Sequence, residues 1–334
     1  MGDLRTAVIA GASGYIGQHL RARLETSGVR VRTIGRGHGN DAAWDDPASL
    51  EQVLDGADLL VNLAGRSVSC RYTKRNADEI FRSRVETTTA LGQALSRVES
   101  PPALWVNAST GTIYRDARDR PMDEVDGQLG SGFSVEVARA WERELWDAPT
   151  DIRKIALRMT IVLGAGGGAI NPFINLARIG FGGRMGDGRQ RFSWVHVDDV
   201  VRAVVHLHGH DEIAGPVNLA APEVVSNDEL MRQVRCTMGR RHGLPEPRWL
   251  LEAGARIIRT EAELVLKSRW VESRVLRETG FEFAYPEARV RFDRSRSTPA
   301  EGCCRWRWDD SGAGRPLRLD LRRLTSERQG RLCG

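Results

Sequence analysis

Gly11-Ala12-Ser13-Gly14-Tyr15-Ile16-Gly17 follows the apolar run Thr6-Ala7-Val8-Ile9-Ala10 and leads into a helical pattern from Tyr15 to about Glu25. The short apolar run suits a strand buried on both faces of a parallel sheet. Glycines at this spacing permit a tight turn and let backbone approach a pyrophosphate closely, and the N–H groups at the helix start hold the anion with help from the helix dipole. A glycine motif alone is weak, since a turn that only packs helix on strand has the same composition. The strand before it and the helix after it make it a dinucleotide-binding signature. The residues assigned to the cofactor here are Gly11, Ser13, Gly14, Tyr15, Ile16 and Gly17.

Outward from this loop, strands and helices alternate. Residues 29–34 read as a strand, Asp46-Pro47 opens a short helix, and 58–63 read as another buried strand. A long helix follows over about 73–98, then a strand at 104–107, a helix at 135–146 and a strand at 155–158. This order predicts right-handed βαβ units and an α/β fold, a Rossmann-type doubly wound parallel sheet with a smaller C-terminal substrate lobe. The expected division is a nucleotide-binding Rossmann domain over 1–163, with strands also drawn from 190–220, then a substrate lobe and small C-terminal domain over 164–292. The lobe starts at the glycine-rich stretch Gly164–Gly168, with a strand at Val217–Ala220, a helix over 226–238 capped by Ser226 or Asn227, and a last helical block over 244–292. Residues 293–334 are rich in Arg, Ser and Gly, with little apolar periodicity, which predicts a disordered tail. A frameshifted or read-through end has the same composition.

The end of the second strand selects the cofactor. An NAD enzyme usually offers a carboxylate there to the ribose 2′-hydroxyl. This chain has Thr33-Ile34-Gly35-Arg36-Gly37-His38, with no acid. A guanidinium donates two parallel hydrogen bonds to a phosphate, so Arg36 points to NADP(H). A surface arginine in an arginine-rich chain is the competing reading.

The chain has 334 residues, a net charge of +5 and 49 basic residues, of which only Lys74, Lys154 and Lys267 are lysine. The arginines are scattered, so no nucleic-acid footprint is expected. The five cysteines form no CxxC pair, and only Cys70 lies in the first 230 residues, which points to a reducing, cytoplasmic setting. No leader and no membrane-length apolar run is expected. His206, His208 and His210 alternate without the spacing of a helical zinc site, so no metal is expected. The partner expected is a small-molecule substrate of unknown identity, and monomer and dimer both remain open.

Four segments together resemble the extended short-chain dehydrogenases/reductases. They are Gly11–Gly17, Asn62-Leu63-Ala64-Gly65, Asn107–Tyr114 and Phe192–Val200. Three more, Ser83–Thr88, Ile161–Gly168 and Gly215–Leu219, are similar to a narrower epimerase-like family that goes under the names sugar-nucleotide epimerase and cell-division inhibitor. Its members carry a small C-terminal domain of unknown function, which Leu244–Pro286 resembles; the resemblance spans roughly residues 5–290. It implies a nicotinamide near Leu63, Ala64 and Gly65, with Ser109 or Thr110 positioning a carbonyl.

The superfamily's proton chemistry uses Tyr-x-x-x-Lys, in which the lysine lowers the phenol pKa. Here the four tyrosines, Tyr15, Tyr72, Tyr114 and Tyr285, are followed four residues later by His19, Asn76, Arg118 and Arg289. The region expected to hold the pair reads Phe133-Ser134-Val135-Glu136-Val137, and Arg84 replaces the asparagine usual in the long helix. The candidate catalytic residues are therefore Ser109, Thr110 and Tyr114, against strand-end capping for the first two and simple packing for Tyr114. Arg71, Lys74, Arg82 and Arg84 are candidates for an anionic substrate or the cofactor phosphates, Arg84 being assigned to the cofactor. Glu124 and Glu142 are candidate acids, and Asp198 or Asp199 is expected to cap the helix carrying Val200 and Val204. Two functions fit: an NADP(H)-dependent oxidoreductase or epimerase-like enzyme with a departed active site, and a non-catalytic NADP(H) sensor.

Overall fold

A computed structural model describes residues 4–68, 70–164, 167–168, 171–178, 180–237, 240, 242–246 and 267–288. Its centre is a seven-stranded sheet. The strands are β1 (Thr6–Ala10), β2 (Arg30–Gly35), β3 (Ala42–Ala43), β4 (Leu59–Asn62), β5 (Leu104–Thr110), β6 (Arg153–Met159) and a last strand, Gly215–Leu219. From one edge the order is Gly215–Leu219, β6, β5, β4, β1, β2, β3, and every pairing is parallel. The chain thus winds outward twice from β1, the doubly wound Rossmann arrangement.

Helices cover both faces because the strands bury both faces. In β1, Ala7 and Ile9 enter one core, and Val8 and Ala10 the other. The first core lies under helix α1 (Tyr15–Thr26), through Leu20 and Leu24, and under the helix Val197–His208, through Val200 and Val204. The second lies under α2 (Pro47–Leu54) and α3 (Lys74–Leu95), with Leu145 of α4 (Phe133–Trp146). Local chemistry sets the helix starts. Asp46 accepts the Ser49 N–H ahead of Pro47, and Thr73 accepts the Asn76 N–H.

The remaining lobe is built of short pieces. Ile161–Gly164 pairs with Trp194–His196 and with Gly167–Gly168, and Phe181–Met185 pairs with Leu244–Glu246. Phe173, Ile174, Phe192, Trp194 and Leu230 form its core. Two expectations need correction here. Leu244–Glu246 is a strand, and residues 267–273 run extended to bridge Met122 and Phe192, so the 244–292 block is not continuously helical; its described helix is Arg274–Glu278. The cap of Val197–His208 is His196, whose Nδ1 accepts the Asp198 N–H at 3.2 Å. Asp199 instead accepts the N–H groups of Ala284 and Tyr285 at 2.8 and 2.9 Å, tying the C-terminal segment to this helix. The expected tail, 293–334, lies outside the described residues, as do Cys303, Cys304 and Cys333; Cys70 and Cys236 are free thiols.

His196 makes the lobe acid-sensitive. It is 4 % exposed, its ring lies 3.7 Å from that of Tyr285, and burial pushes its pKa down from 6.5 to about 4. A depressed value in the folded state contributes stability above pH 6.5 that is lost as pH falls toward 4. Asp199 runs the other way, since burial raises its carboxyl to about 6. Comparing wild type with His196→Asn isolates the histidine. Between about pH 7 and 4.5 wild type should lose on the order of 2 kcal/mol more than the variant in urea unfolding, and parallel pH profiles would refute this account.

Candidate functional site

The carboxyl ends of β1, β4 and β5 open on a cleft of about 440 Å³. Its floor is the glycine loop. Gly11 has φ +80°, and a Cβ there would lie 2.9 Å from the backbone of Leu63 and Ala64. At Gly17 a Cβ would lie 2.5 Å from the Gly11 carbonyl oxygen. The Gly11 N–H donates to the Ile34 carbonyl at 3.0 Å, which fastens the loop to the end of β2. Helix α1 starts at Gly14 with no side-chain cap and no acid in its first turn. A helix start open in this way favours an anion.

The sequence-predicted residues divide by position. Gly11, Gly14, Tyr15, Ile16, Gly17, Leu63, Arg84, Ser109 and Thr110 line the cleft. Ser13 sits on the loop's exposed side, its carbonyl taken by Gln18. Ala64 donates its N–H to Asn62 Oδ1, and Gly65 faces the Arg84 guanidinium. Arg36 is exposed just past β2, and among the described residues its side chain has no hydrogen bond or ion pair.

Beneath the cleft lies a polar layer that the sequence reading did not find. Asn62 on β4 donates to Asn107 Oδ1 on β5 at 2.7 Å and to Thr88 on α3 at 3.2 Å, and Trp141 on α4 donates to the same threonine hydroxyl at 3.1 Å. The two long helices are thereby keyed to the strand ends through satisfied buried polar groups.

Ser109 donates its hydroxyl proton to Glu142 Oε1 at 2.6 Å. Glu142 is gripped by Arg158 through two bonds, 2.8 and 2.7 Å, and both side chains are about nine-tenths buried. Burial opposes the charge on Arg158, yet the carboxylate more than offsets this and holds the guanidinium above its ordinary value. An ionised carboxylate only accepts. Toward the cleft, Ser109 therefore presents lone pairs. Thr110 caps the 3₁₀ turn Gly111–Ile113, donating to the Thr112 hydroxyl and accepting its N–H.

Tyr114 is placed differently from the expectation. The 3₁₀ turn carries it out of the cleft into a core with Met122, Val135 and Val271. It is 2 % exposed, accepts from Arg158 at 2.9 Å and donates to Asn218 Oδ1 at 2.9 Å. Burial raises its pKa. With its hydroxyl committed on both sides, Tyr114 has no access to a ligand in the cleft. Glu124 is likewise spent, accepting the N–H groups of Asn218 and Arg274. Asp198 and His196 sit at the start of Val197–His208, and Arg71, Lys74 and Arg82 are exposed and do not line the cleft. Phe133 and Val137, one helical turn apart on α4, do line it. Among the described residues no cluster of metal-ligating side chains occurs, and no helix is long and apolar enough to cross a membrane.

The model of the NAD dependent epimerase/dehydratase family matches residues 7–220. An epimerase family protein SDR39U1 homolog of Arabidopsis thaliana, described as chloroplastic, is 30 % identical over 293 residues, which is 84 % of this chain and 83 % of that protein. Epimerase family protein YfhF of Bacillus subtilis is 27 % identical over 291 residues, 84 % of this chain and 94 % of the relative. The crystal structure of human epimerase family protein SDR39U1 (isoform 2) with NADPH superposes with a TM-score of 0.76 at 29 % identity, covering 84 % of this chain and 96 % of the human one.

The Glu142–Arg158 pair has a measurable signature. Removing one partner of a buried pair strands the other charge, whereas replacing both by apolar groups restores neutrality. Glu142→Leu should lose about 3–5 kcal/mol in denaturant unfolding, and Glu142→Leu with Arg158→Met should recover most of that loss. Additive losses in the double variant would show that the two do not act as a pair.

Proposed function

The chain belongs to the NAD dependent epimerase/dehydratase family, and on that premise we propose that it is an NADP(H)-dependent oxidoreductase or epimerase-like enzyme acting on a small molecule. The observation that carries this reading is the uncapped start of α1, set on a glycine loop whose Cβ positions are closed by backbone and opening into the cleft. That cradle fits a dinucleotide. With the Gly14 N–H closing the turn onto the Gly11 carbonyl, the N–H groups from Tyr15 to Gly17 would take the pyrophosphate, Arg36 the 2′-phosphate, and Leu63 to Gly65 with Ser109 the nicotinamide end. Bound there, the cofactor supplies or accepts hydride. Ser109 accepts a hydrogen bond from a substrate hydroxyl, oriented by Glu142 and Arg158. The NADPH in the human relative supports the phosphorylated form.

A second reading, a nucleotide-binding regulator without turnover, is favoured by one observation. Phe133 and Val137 bring neither a phenol nor an ammonium to the cleft wall.

Calorimetric titration with NADPH and NADH tests the cofactor. Wild type should bind NADPH at least about tenfold more tightly, and Arg36→Ala should lose about tenfold for NADPH alone, as expected for one charge-assisted phosphate contact. Equal loss for both nucleotides would remove Arg36 from the phosphate. Absence of binding by either would remove the cofactor.

A further inference from the structure

The described residues that line the cleft include one cation and no carboxylate. The cation is Arg84 on α3, whose guanidinium lies over the Trp141 ring, 5.0 Å from the centroid. Its Nη1 is spent on the carbonyls of Ile80 and Arg66, at 3.0 and 3.1 Å. Among the described residues its Nε and Nη2 have no acceptor, and neither atom is sealed from solvent. The platform behind it is fixed, since Trp141 donates its ring N–H to Thr88, one helical turn beyond Arg84. Burial pushes the guanidinium down to about 10, so it keeps its charge near neutral pH.

The chain shows twice what an Nε–Nη2 edge holds. Arg158 gives these two nitrogens to the two oxygens of Glu142, at 2.8 and 2.7 Å. Arg232 gives them to the two oxygens of Glu229, at 2.8 and 2.6 Å. The N–H bonds on this edge run parallel and match the spacing of carboxylate oxygens. Arg84 presents the same edge with no protein carboxylate upon it. A single guanidinium neutralises a carboxylate, whereas the second charge of a phosphate monoester would meet no further cation among the described residues of this wall. Phe133 and Val137, beside Trp141, offer apolar surface to a carbon skeleton.

The edge also lies on the substrate's side of the cleft. In the sheet β4 stands between β5 and β1, and Arg36 follows β2, beyond β1. Arg84 faces Gly65 past the end of β4 and leans on α4, away from Arg36. Trp141 and Glu142 are consecutive on α4. The first backs Arg84, and the second takes the Ser109 proton at 2.6 Å. One short stretch of α4 therefore fixes both the cation and the serine of the cleft wall.

We propose that the substrate is a small hydroxy acid and that Arg84 is the residue that selects it. The Nε–H and Nη2–H of Arg84 hold the carboxylate, and the substrate hydroxyl donates to the Ser109 oxygen. Arg84 then serves the substrate, while the cofactor's phosphates go to the start of α1 and to Arg36. The inference rests on the nucleotide-binding reading above.

The test is calorimetric titration of the full chain, with and without NADP⁺, by glycolate, lactate, 3-hydroxybutyrate and mandelate, each beside its primary amide. At least one acid should bind, and its neutral amide, of the same shape, should bind at least about tenfold more weakly. Arg84→Met should lose at least about tenfold for that acid and nothing for the amide. Arg84→Lys keeps the charge without the planar edge, so it should retain part of the preference for the acid. Nucleotide affinity of the Arg84→Met chain should stay within about twofold of wild type, which also shows that it folds. Ser109→Ala should weaken the hydroxy acid and leave its deoxy counterpart unchanged. Failure of every acid to bind, equal binding of acid and amide, or indifference of the acid to Arg84→Met overturns the assignment. So does loss of nucleotide alone in Arg84→Met, which would put the arginine on the cofactor. Inorganic phosphate or UDP bound in preference to every acid, and lost in Arg84→Met, overturns the carboxylate. A hydroxy acid bound equally by Ser109→Ala overturns the placement of its hydroxyl. If no form binds nucleotide, the nucleotide reading fails, while the titrations without it still decide what Arg84 holds.

Discussion

The structure depends on a steric exclusion at Gly11 and Gly17. With no side chain at either position, α1 settles directly on the end of β1 and the loop presses against Leu63 and Ala64 at the end of β4. Any Cβ would have to displace backbone, which cannot yield as a flexible side chain does. This contact sets where α1 begins and leaves its first N–H groups facing outward. It also brings β4's terminal residues to the rim of the same cleft. The parallel register of β1 with β2 and β4 then carries the geometry to Arg36 on one side and to Asn62 and Asn107 on the other.

A second constraint joins the cleft to the rest of the molecule. Ser109 is bonded to Glu142, Glu142 to Arg158, Arg158 to Tyr114, and Tyr114 to Asn218. Asn218 in turn donates to the Glu272 carbonyl, and its own N–H is taken by Glu124. A continuous chain of buried hydrogen bonds therefore runs from the β5 terminus, through α4 and β6, to the outermost strand and the segment beyond residue 267. Each member is expensive to orphan in a low-dielectric interior, so the network defines one arrangement of these elements. The cleft serine inherits its orientation from it.

What the sequence made legible follows the same division between local and distant causes. Strands β1 and β4 are short apolar runs, and Pro47, Thr73 and the glycine loop mark helix starts by local chemistry, so the Rossmann half could be read directly. The small strands of the second lobe could not. They are two to five residues long, several are glycine-rich, and Trp194–His196 and Leu244–Glu246 are paired with partners far away in sequence. Tyr114 shows the limit most clearly. It stands five residues after Ser109, yet the turn between them sends one into the cleft and the other into a core, and the groups that capture its hydroxyl come from β6 and from residue 218. Glu142 carried only a weak signal for the same reason, since its worth lies in Arg158.

The chemistry of the cleft wall explains why an arginine suits this place better than a lysine on α4 would. A lysine ammonium is a point charge on a flexible stem and loses its proton readily when buried. The Arg84 guanidinium is a rigid plane, fastened at one nitrogen by two main-chain carbonyls and backed by Trp141. Its remaining donors are thereby aimed without further loss of side-chain freedom, and a guanidinium keeps its charge against burial better than an ammonium does. Gly65 completes the arrangement, because a Cβ there would stand 3.2 Å from the guanidinium carbon. The glycine at the end of β4 and the arginine on α3 are therefore one steric unit. Across the cleft, Phe133 and Val137 of α4 bring no charge, so among the described residues lining it Arg84 is the one cation, and its place is set by that glycine.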